Sequence, residues 1–383
     1  ASSSVRNCCS SPASCAGDVP PPGLVEEYVL CALNALSGDD GDPAAEEALH
    51  ARVETLLDSL DGPLRLPYVL VLWSVVTGPR PAANARALRL AGTDPWAGAL
   101  LDMGLGLQAR FAGRPGESEE ALTRALAGFR ATGDRWGMAN CLEPLGMYAH
   151  ARGDDDGALG LLDEGLALVR ELDAPEETAD LLRSRGVVLL RRGDAAGAAD
   201  HFERATALAR TAGAGDKAAG AWRGLGDAAR LSGDTARARV LYEEALRMCA
   251  ANWFSVGEIV RVLIGLGRTA AAEGKAEDAR EWFRQAAVAA GDSASVLELA
   301  EAAEALASVA ERPERAAVLL GAGAGLRGAP AREDPDVART EEAVRARLSP
   351  EAYTAAFERG VRLRAAAVEE GRGEAGERRD AAG

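Results

Sequence analysis

Three histidines, six cysteines and a surplus of carboxylates are the residues of this sequence that could do chemistry. General acid–base catalysis needs a His or a tuned carboxylate within reach of a nucleophile. His50, His150 and His201 stand alone, and none belongs to an H-E-x-x-H helix. His201, directly before Phe202, is expected to face solvent. No G-x-S-x-G turn and no G-x-x-x-x-G-K-[ST] phosphate loop occurs. Gly323-Ala-Gly325-Leu-Arg-Gly328 fits G-x-G-x-x-G. A dinucleotide site needs a strand before that pattern and a helix after it. Here a helix is expected before it and Pro330 follows, so a small-residue helix end is the plain reading. The acidic run Ser37–Pro43 lacks the ligand spacing and closing Glu of a calcium loop. It reads as a solvated loop in which Asp42 caps a helix that begins at Pro43. Cys8, Cys9 and Cys15 could ligate a metal. The six cysteines show no paired C-x-x-C spacing, which favours reduced thiols and a cytoplasmic location. No catalytic residues, metal site or cofactor is expected, and the chain reads as a non-enzyme.

The elements that must position any functional residue are set by a repeat. Leu145-Gly146 leads to Gly153-Asp154, Ala158, Leu162 and Gly165. Arg185-Gly186 leads to Gly193-Asp194, Ala198, Phe202 and Ala205. Leu225-Gly226 leads to Gly233-Asp234, Ala238, Tyr242 and Ala245, and Leu266-Gly267 to Gly274-Lys275, Ala279, Phe283 and Ala286. The marker alanines lie 40, 40 and 41 residues apart. The second Gly of each set can take a positive φ and end a helix. The Asp then caps a second helix. The Ala admits a close partner helix, and the large residue four positions on fills the space beyond. One such hairpin cannot bury its apolar face alone, so neighbours stack into a solenoid.

This pattern resembles the tetratricopeptide repeat, through Trp222, Leu225, Gly226, Ala238 and Tyr242. The usual period is about 34 residues, so a period near 40 implies longer helices or turns. The resemblance implies an all-α solenoid of helix hairpins, a right-handed superhelix whose first helices line a concave groove. Carried across repeat by repeat, the groove-facing positions are Asn140, Glu143, Met147 and His150, then Asp180, Arg183, Val187 and Arg191. Arg223, Asp227 and Arg230 follow, and then Arg261, Ile264 and Arg268. Six of these are Arg in a chain of net charge −16. A basic strip in an acidic shell could grip carboxylates or phosphates bidentately. The same arginines could instead bridge to Asp180, Asp227 and nearby Glu residues. Trp222 reads as core; Trp253-Phe254 is the best exposed aromatic candidate, though core packing is favoured there too.

In chain order, residues 1–23 read as a disordered lead-in and 24–92 as divergent hairpins: Leu24–Leu36, Ala44–Leu60, Leu64–Val76 and Pro79–Leu90. Residues 93–328 hold six repeats. The first is Trp96–Ala112 with Glu119–Ala131, its marker Ala121 and its internal turn lengthened by Gly113–Gly116. The last, over Ala300–Leu326, has Ala316 and Leu320 in the marker and large positions. Residues 329–371 form closing helices, Asp336–Leu348 and Pro350–Glu370, and 372–383 a fraying tail. The chain opens without Met, as a piece of a longer protein would. With 383 residues, 48% of them hydrophobic but only 4% aromatic, it suits close helix-on-helix packing. No apolar run approaches the ~20 residues of a membrane span, no signal peptide is apparent, and the acidic charge opposes binding DNA or an anionic membrane.

A second resemblance, covering roughly Asp94–Gly371, is carried by the C-terminal quarter: Pro313-Glu-Arg-Ala-Ala-Val-Leu-Leu-Gly321-Ala322, Leu326-Arg327, Asp334-Pro335-Asp336-Val337-Ala338-Arg339, Leu348, Ala352-Tyr353, Ala355-Ala356-Phe357 and Gly360. It is similar to the end of the large ATP-binding regulators of actinobacteria, the AfsR/SARP-like and LuxR-like (LAL) groups. What this implies is a sensor or protein-interaction region of a transcription regulator. Its groove would bind a small anionic effector, a peptide, or the switch domain of its parent protein. The DNA-binding and nucleotide-switch segments of those families are not in this sequence. The alternative is a repeat scaffold that bridges proteins with no small-molecule signal.

Overall fold

The computed structural model describes residues 20, 23–36, 43–60, 62–77, 81–249, 255–292, 296–328, 331 and 334–363. The lead-in, the acidic run up to Asp42, Cys8, Cys9, Cys15, Trp253-Phe254 and the tail lie outside them. The described residues are helical, with no strand among them. In order come α1 (Val25–Leu36), α2 (Pro43–Asp58), α3 (Val69–Thr77) and α4 (Pro81–Ala91). Hairpins follow: α5 (Pro95–Phe111) with α6 (Pro115–Thr132), α7 (Arg135–Ala151) with α8 (Asp155–Leu172), and α9 (Pro175–Arg191) with α10 (Ala195–Ala212). Then come α11 (Gly215–Leu231) with α12 (Thr235–Met248), α13 (Val256–Ala272) with α14 (Ala276–Asp292), and α15 (Val296–Ser308) with α16 (Pro313–Arg327). Helices α17 (Pro335–Arg345) and α18 (residues 350–363) close the described chain. This is an all-α helical-repeat solenoid.

The turns form for the reasons the repeat gives. Gly153, Gly193, Gly233 and Gly274 all have positive φ, between 77° and 84°. The carboxylates of Asp154, Asp194 and Asp234 accept the N–H of Gly157, Gly197 and Arg237 at 2.9–3.0 Å, capping α8, α10 and α12. Within a repeat the large residue of the second helix lies on a glycine of the first. Tyr242 is held between two: a Cβ at Gly226 would sit 2.7 Å from its ring, and one at Gly265 of the next hairpin 2.5 Å. Phe202 lies likewise between Gly186 and Gly224.

Two expectations are corrected. The turn between α5 and α6 is no longer than its counterparts, because α6 starts at Pro115 rather than Glu119. Proline suits a first helical position, where no N–H is needed. The marker of this repeat is therefore Ser118, 40 residues before Ala158, and not Ala121. Ser118 is fully buried and donates its hydroxyl to the Gly106 carbonyl at 2.7 Å, so a serine serves where alanine was sought. The helix expected from Leu64 begins only at Val69. Pro67 disfavours helical geometry at Leu66. The Leu66 N–H is taken instead by the buried Glu26 carboxylate at 2.8 Å.

The chain divides into two compact units. Among the described residues, unit 1 runs to Ser184 apart from the turn at 151–153; unit 2 takes that turn and the residues from Arg185 on. Unit 1 has one core around Leu33, Leu49, Leu57, Leu70 and Trp73 and another around Leu100, Met103, Leu122, Phe129 and Leu142. Unit 2 buries Phe202, Tyr242 and Phe283 in successive clusters, then Leu320, Val337, Val344 and Tyr353 at its end. There α16 and α18 cross at glycines. A Cβ at Gly321 would strike the Phe357 carbonyl, and one at Gly360 the Val318 carbonyl.

Candidate functional site

In unit 1 the first helices α5, α7 and α9 converge on Glu143. Its carboxylate lies 3.2 Å from Arg183 Nη2 and 3.6 Å from Arg110 Nη1, and accepts the Ser184 hydroxyl. Glu143 is buried, so these partners offset its desolvation. Asp180 stands 3.9 Å from Arg183 Nε, at the edge of that group. Asn140 turns back on its own helix and donates to the Trp136 carbonyl at 3.0 Å. His150 Nδ1 lies 2.7 Å from Asp155 Oδ1 across the helix turn, and Met147 is half-buried.

Unit 2 carries the denser charge network. Arg223 Nε donates to Glu258 at 2.5 Å and its Nη1 to Asp227 at 2.8 Å. Tyr242 donates its hydroxyl to the other oxygen of Asp227 at 2.8 Å, which ties the glycine-held ring to the charged surface. Burial and the Asp227 charge push the Tyr242 phenol well above its ordinary range. Burial pulls on the Arg223 guanidinium, but the charges of Glu258 and Asp227 outweigh it and hold it firmly protonated. Arg261 meets Glu298 at 2.9 Å and Glu301 at 3.2 Å. Arg230 and Arg268 meet the start of α17: Arg230 Nη2 lies 2.9 Å from Asp336, and Arg268 lies 2.8 Å from Asp334 and 3.1 Å from Asp336.

The positions chosen from sequence thus divide. Arg183, Arg223, Arg230, Arg261 and Arg268 lie in two charge networks, with Glu143 central to the first and Asp227 to the second. Arg191 and Val187 are half-buried, and Val187 packs beside Phe202 and Leu225. Ile264 is corrected: it is 5% exposed, in the core beside Val260 and Phe283, so it presents nothing to a ligand. His201 is also corrected. Its Nε2 lies 2.9 Å from Arg185 and its Nδ1 2.8 Å from the Gly197 carbonyl, so the ring is a half-buried bridge. The acidic partners Glu258, Glu298, Glu301, Asp334 and Asp336 were missed. Glu258, Glu298 and Asp336 lie in the first turn of a helix, where a carboxylate is favoured.

Beside Arg230 and Arg268 an open cleft of about 370 Å³ is bounded by α13, α15, α16 and α17. Ala305, Val337 and Val344 make its wall apolar. The G-x-G-x-x-G lies within α16 and at its left-handed end, with Gly323 against Glu304. Among the described residues no three His, Cys, Asp or Glu side chains gather as metal ligands, and no helix is long and apolar enough to cross a membrane. Cys31 and Cys141 are buried thiols, and burial with the charges of Asp134 and Asp102 pushes Cys141 up to about 12.

Residues 177–251 match the tetratricopeptide repeat family. That stretch is a tetratricopeptide-type protein-interaction region. No curated protein sequence matches the chain. Among solved structures, a Rap protein complexed with competence and sporulation factor is 14% identical, over 90% of this chain and 99% of that one, with TM-score 0.57. Aspartyl phosphate phosphatase F from Bacillus subtilis is 12% identical, over 90% and 95%, with TM-score 0.50. A STAND signal-transduction ATPase with a tetratricopeptide repeat sensor, from Pyrococcus horikoshii, is 12% identical over 85% of this chain and 53% of that one, with TM-score 0.47. At these identities the first two likenesses concern the fold.

Proposed function

We propose that this chain is the non-catalytic sensor region of a bacterial transcription regulator of the AfsR/SARP-like or LuxR-like kind, acting inside the cell. It takes an acidic peptide or small anionic effector, or a domain of its parent protein, on the first-helix faces of its repeats. The observation that carries this reading is the set of desolvated arginines on those faces. Arg183 and Arg223 stand 40 residues apart at equivalent positions, each gripping carboxylates. A guanidinium presented in a fixed fork recognises a ligand carboxylate as it does an internal one. The Rap protein of like fold is described in complex with a factor. The C-terminal sequence similarity set out above supports the regulator context.

The test is retention of a ligand by the purified full chain, read on an array of acidic peptides and on a panel of anionic metabolites. Arg183→Ala tests the face in unit 1. Arg261→Ala tests the face in unit 2, since among Arg223, Arg230, Arg261 and Arg268 it is the most exposed, at 33%. A ligand whose affinity falls tenfold or more in one of them, with the helical signal intact, supports the reading. If every ligand retained is indifferent to both changes, or none is retained, the arginines are structural bridges and the scaffold alternative takes over.

A further inference from the structure

Two of the first-helix arginines in unit 2 reach the neighbouring hairpin: Arg223 reaches 35 residues to Glu258, and Arg261 reaches 37 to Glu298. Arg230 and Arg268 behave differently. Their carboxylates arrive from 106 and 66 residues away, on the first turn of α17 and its cap. Asp334 does two jobs there. It accepts the N–H of Asp336 and Val337, capping α17, and it binds Arg268. Burial pushes its carboxyl up, but the Arg268 charge and these N–H groups outweigh that and hold it below its ordinary range. A helix N-terminus carries partial positive charge, so aiming it at two guanidiniums is unfavourable unless carboxylates intervene. Asp334 and Asp336 are those carboxylates.

The site is not saturated by them. The Arg230 side chain is nine-tenths buried and borders the cleft, yet its Nε has no hydrogen-bond partner. The cleft beside it has room for further side chains along an apolar wall. Nor is α17 deeply anchored, since Val337 and Val344 are its buried residues. The next helix, α18, is keyed to α16 by the Gly321 and Gly360 crossing, and meets α17 through Tyr353, which donates its hydroxyl to Glu341 at 3.0 Å and lies under Arg345.

We infer that Asp334 and Asp336 are an occupant in cis of a carboxylate-binding cleft, and that an acidic segment of a partner chain, with two carboxylates two residues apart, binds Arg230 and Arg268 by lifting α17. This rests on the interaction reading above and gives it a regulation: the site is closed by the chain's own acidic turn. Displacement exchanges one carboxylate pair for another, so the charge balance of the cleft is kept while α17 leaves. In cis the acidic turn acts at a high effective concentration, so a free segment competes poorly until that turn is neutralised.

The probe is a fluorescein-labelled peptide with the sequence of residues 334–348, read by anisotropy against the full chain. The expected result is binding at least tenfold tighter to Asp334→Asn/Asp336→Asn than to the native chain. Adding Arg268→Gln should remove that binding, and so should replacing both Asp residues of the peptide by Asn. Hydrogen exchange is the second measurement and guards against a misfolded variant. In the Asn variant, α17 should exchange faster while residues 350–363 keep their protection. Equal affinity for both chains, no affinity for either, or binding that survives Arg268→Gln overturns the inference. It fails too if α17 and α18 open together. A latch that opens as expected in a chain retaining no outside ligand leaves the inference standing and the sensor reading refuted. An outside ligand lost on Arg261→Ala, with a peptide indifferent to the Asn changes, does the reverse.

Discussion

The hairpins around Tyr242 and the crossing at Gly360 both use glycine to bring helices together, but what meets the glycine differs. At Gly226 and Gly265 the neighbour is the Tyr242 ring, a side chain with rotamers and a core that can adjust. At Gly321 and Gly360 the neighbour is main-chain carbonyl, fixed by the helix that carries it. The charges divide the same way. Arg223 is held within the repeat array, while Arg268 is held by a turn that belongs to a lightly anchored helix. Close packing within the array is adjustable and its ion pairs are fixed; at the C-terminal end the packing is fixed and the ion pairs are releasable.

The largest expected effect breaks this comparison if it is absent. Gly360→Ala should cost about 3 kcal/mol or more in urea unfolding, because no rotamer relieves a contact with backbone. Gly226→Ala should cost about 1 kcal/mol, since the ring can shift and alanine favours the helix. Equal costs would mean the two kinds of contact are equally soft. Next in size is the charge difference. Arg223→Met leaves Asp227 and Glu258 half-buried without their cation and should cost about 2–4 kcal/mol. Arg268→Met should cost about 1–2 kcal/mol, because Asp334 and Asp336 can turn to water with α17. Thermal melts of the two variants compare them directly.

Acid sharpens the same contrast. The Asp334 carboxyl is held below its ordinary 3.8, so it contributes stability that is fully present above that pH. That contribution is lost as pH falls through the lower folded value. Hydrogen exchange should therefore show α17 opening below about pH 3.8, and Asp334→Asn should remove that step while leaving α17 faster at neutral pH. The smallest effect lies in unit 1. Asp173 ends α8 at φ 49°, where the equivalent helix ends use Gly133 and Gly213. Asp173→Gly should gain about 0.5–1 kcal/mol, read as a raised melting temperature.

Much of the fold could be read from residues whose job is local. Gly153, Gly193, Gly233 and Gly274 announce their turns, and Asp154, Asp194 and Asp234 announce the helices that follow. Ser118 escaped notice because its fitness for a close helix contact depends on the Gly106 carbonyl that accepts its hydrogen bond. The late start of α3 was signalled by Pro67, but its other cause, Glu26, is 40 residues away. For the candidate site, the arginines could be found by carrying equivalent positions along the repeat. Their carboxylates were harder to find: Glu258 and Glu298 are each the third residue of a first helix, but Lys217 breaks that column in α11, and Asp334 and Asp336 lie beyond the repeats. Ile264 shows the limit of such transfer: its column holds Glu143, Arg183 and Arg223 elsewhere, and only the local packing with Phe283 turns it inward.

The glycine pairs around Phe202 and Tyr242 also bear on how such a chain can change length. Each large ring rests on one glycine of its own hairpin and one of the next. Excising residues 202–241 would set Tyr242 directly after His201, over Gly186 on one side and its present neighbour Gly265 on the other. Tyr242 would still have two glycines. For ring packing, a forty-codon block dropped or duplicated by unequal recombination leaves a fitting joint; the cost falls on the Tyr242 hydroxyl, which exchanges Asp227 for Val187, so the number of hairpins can drift at the expense of single polar contacts.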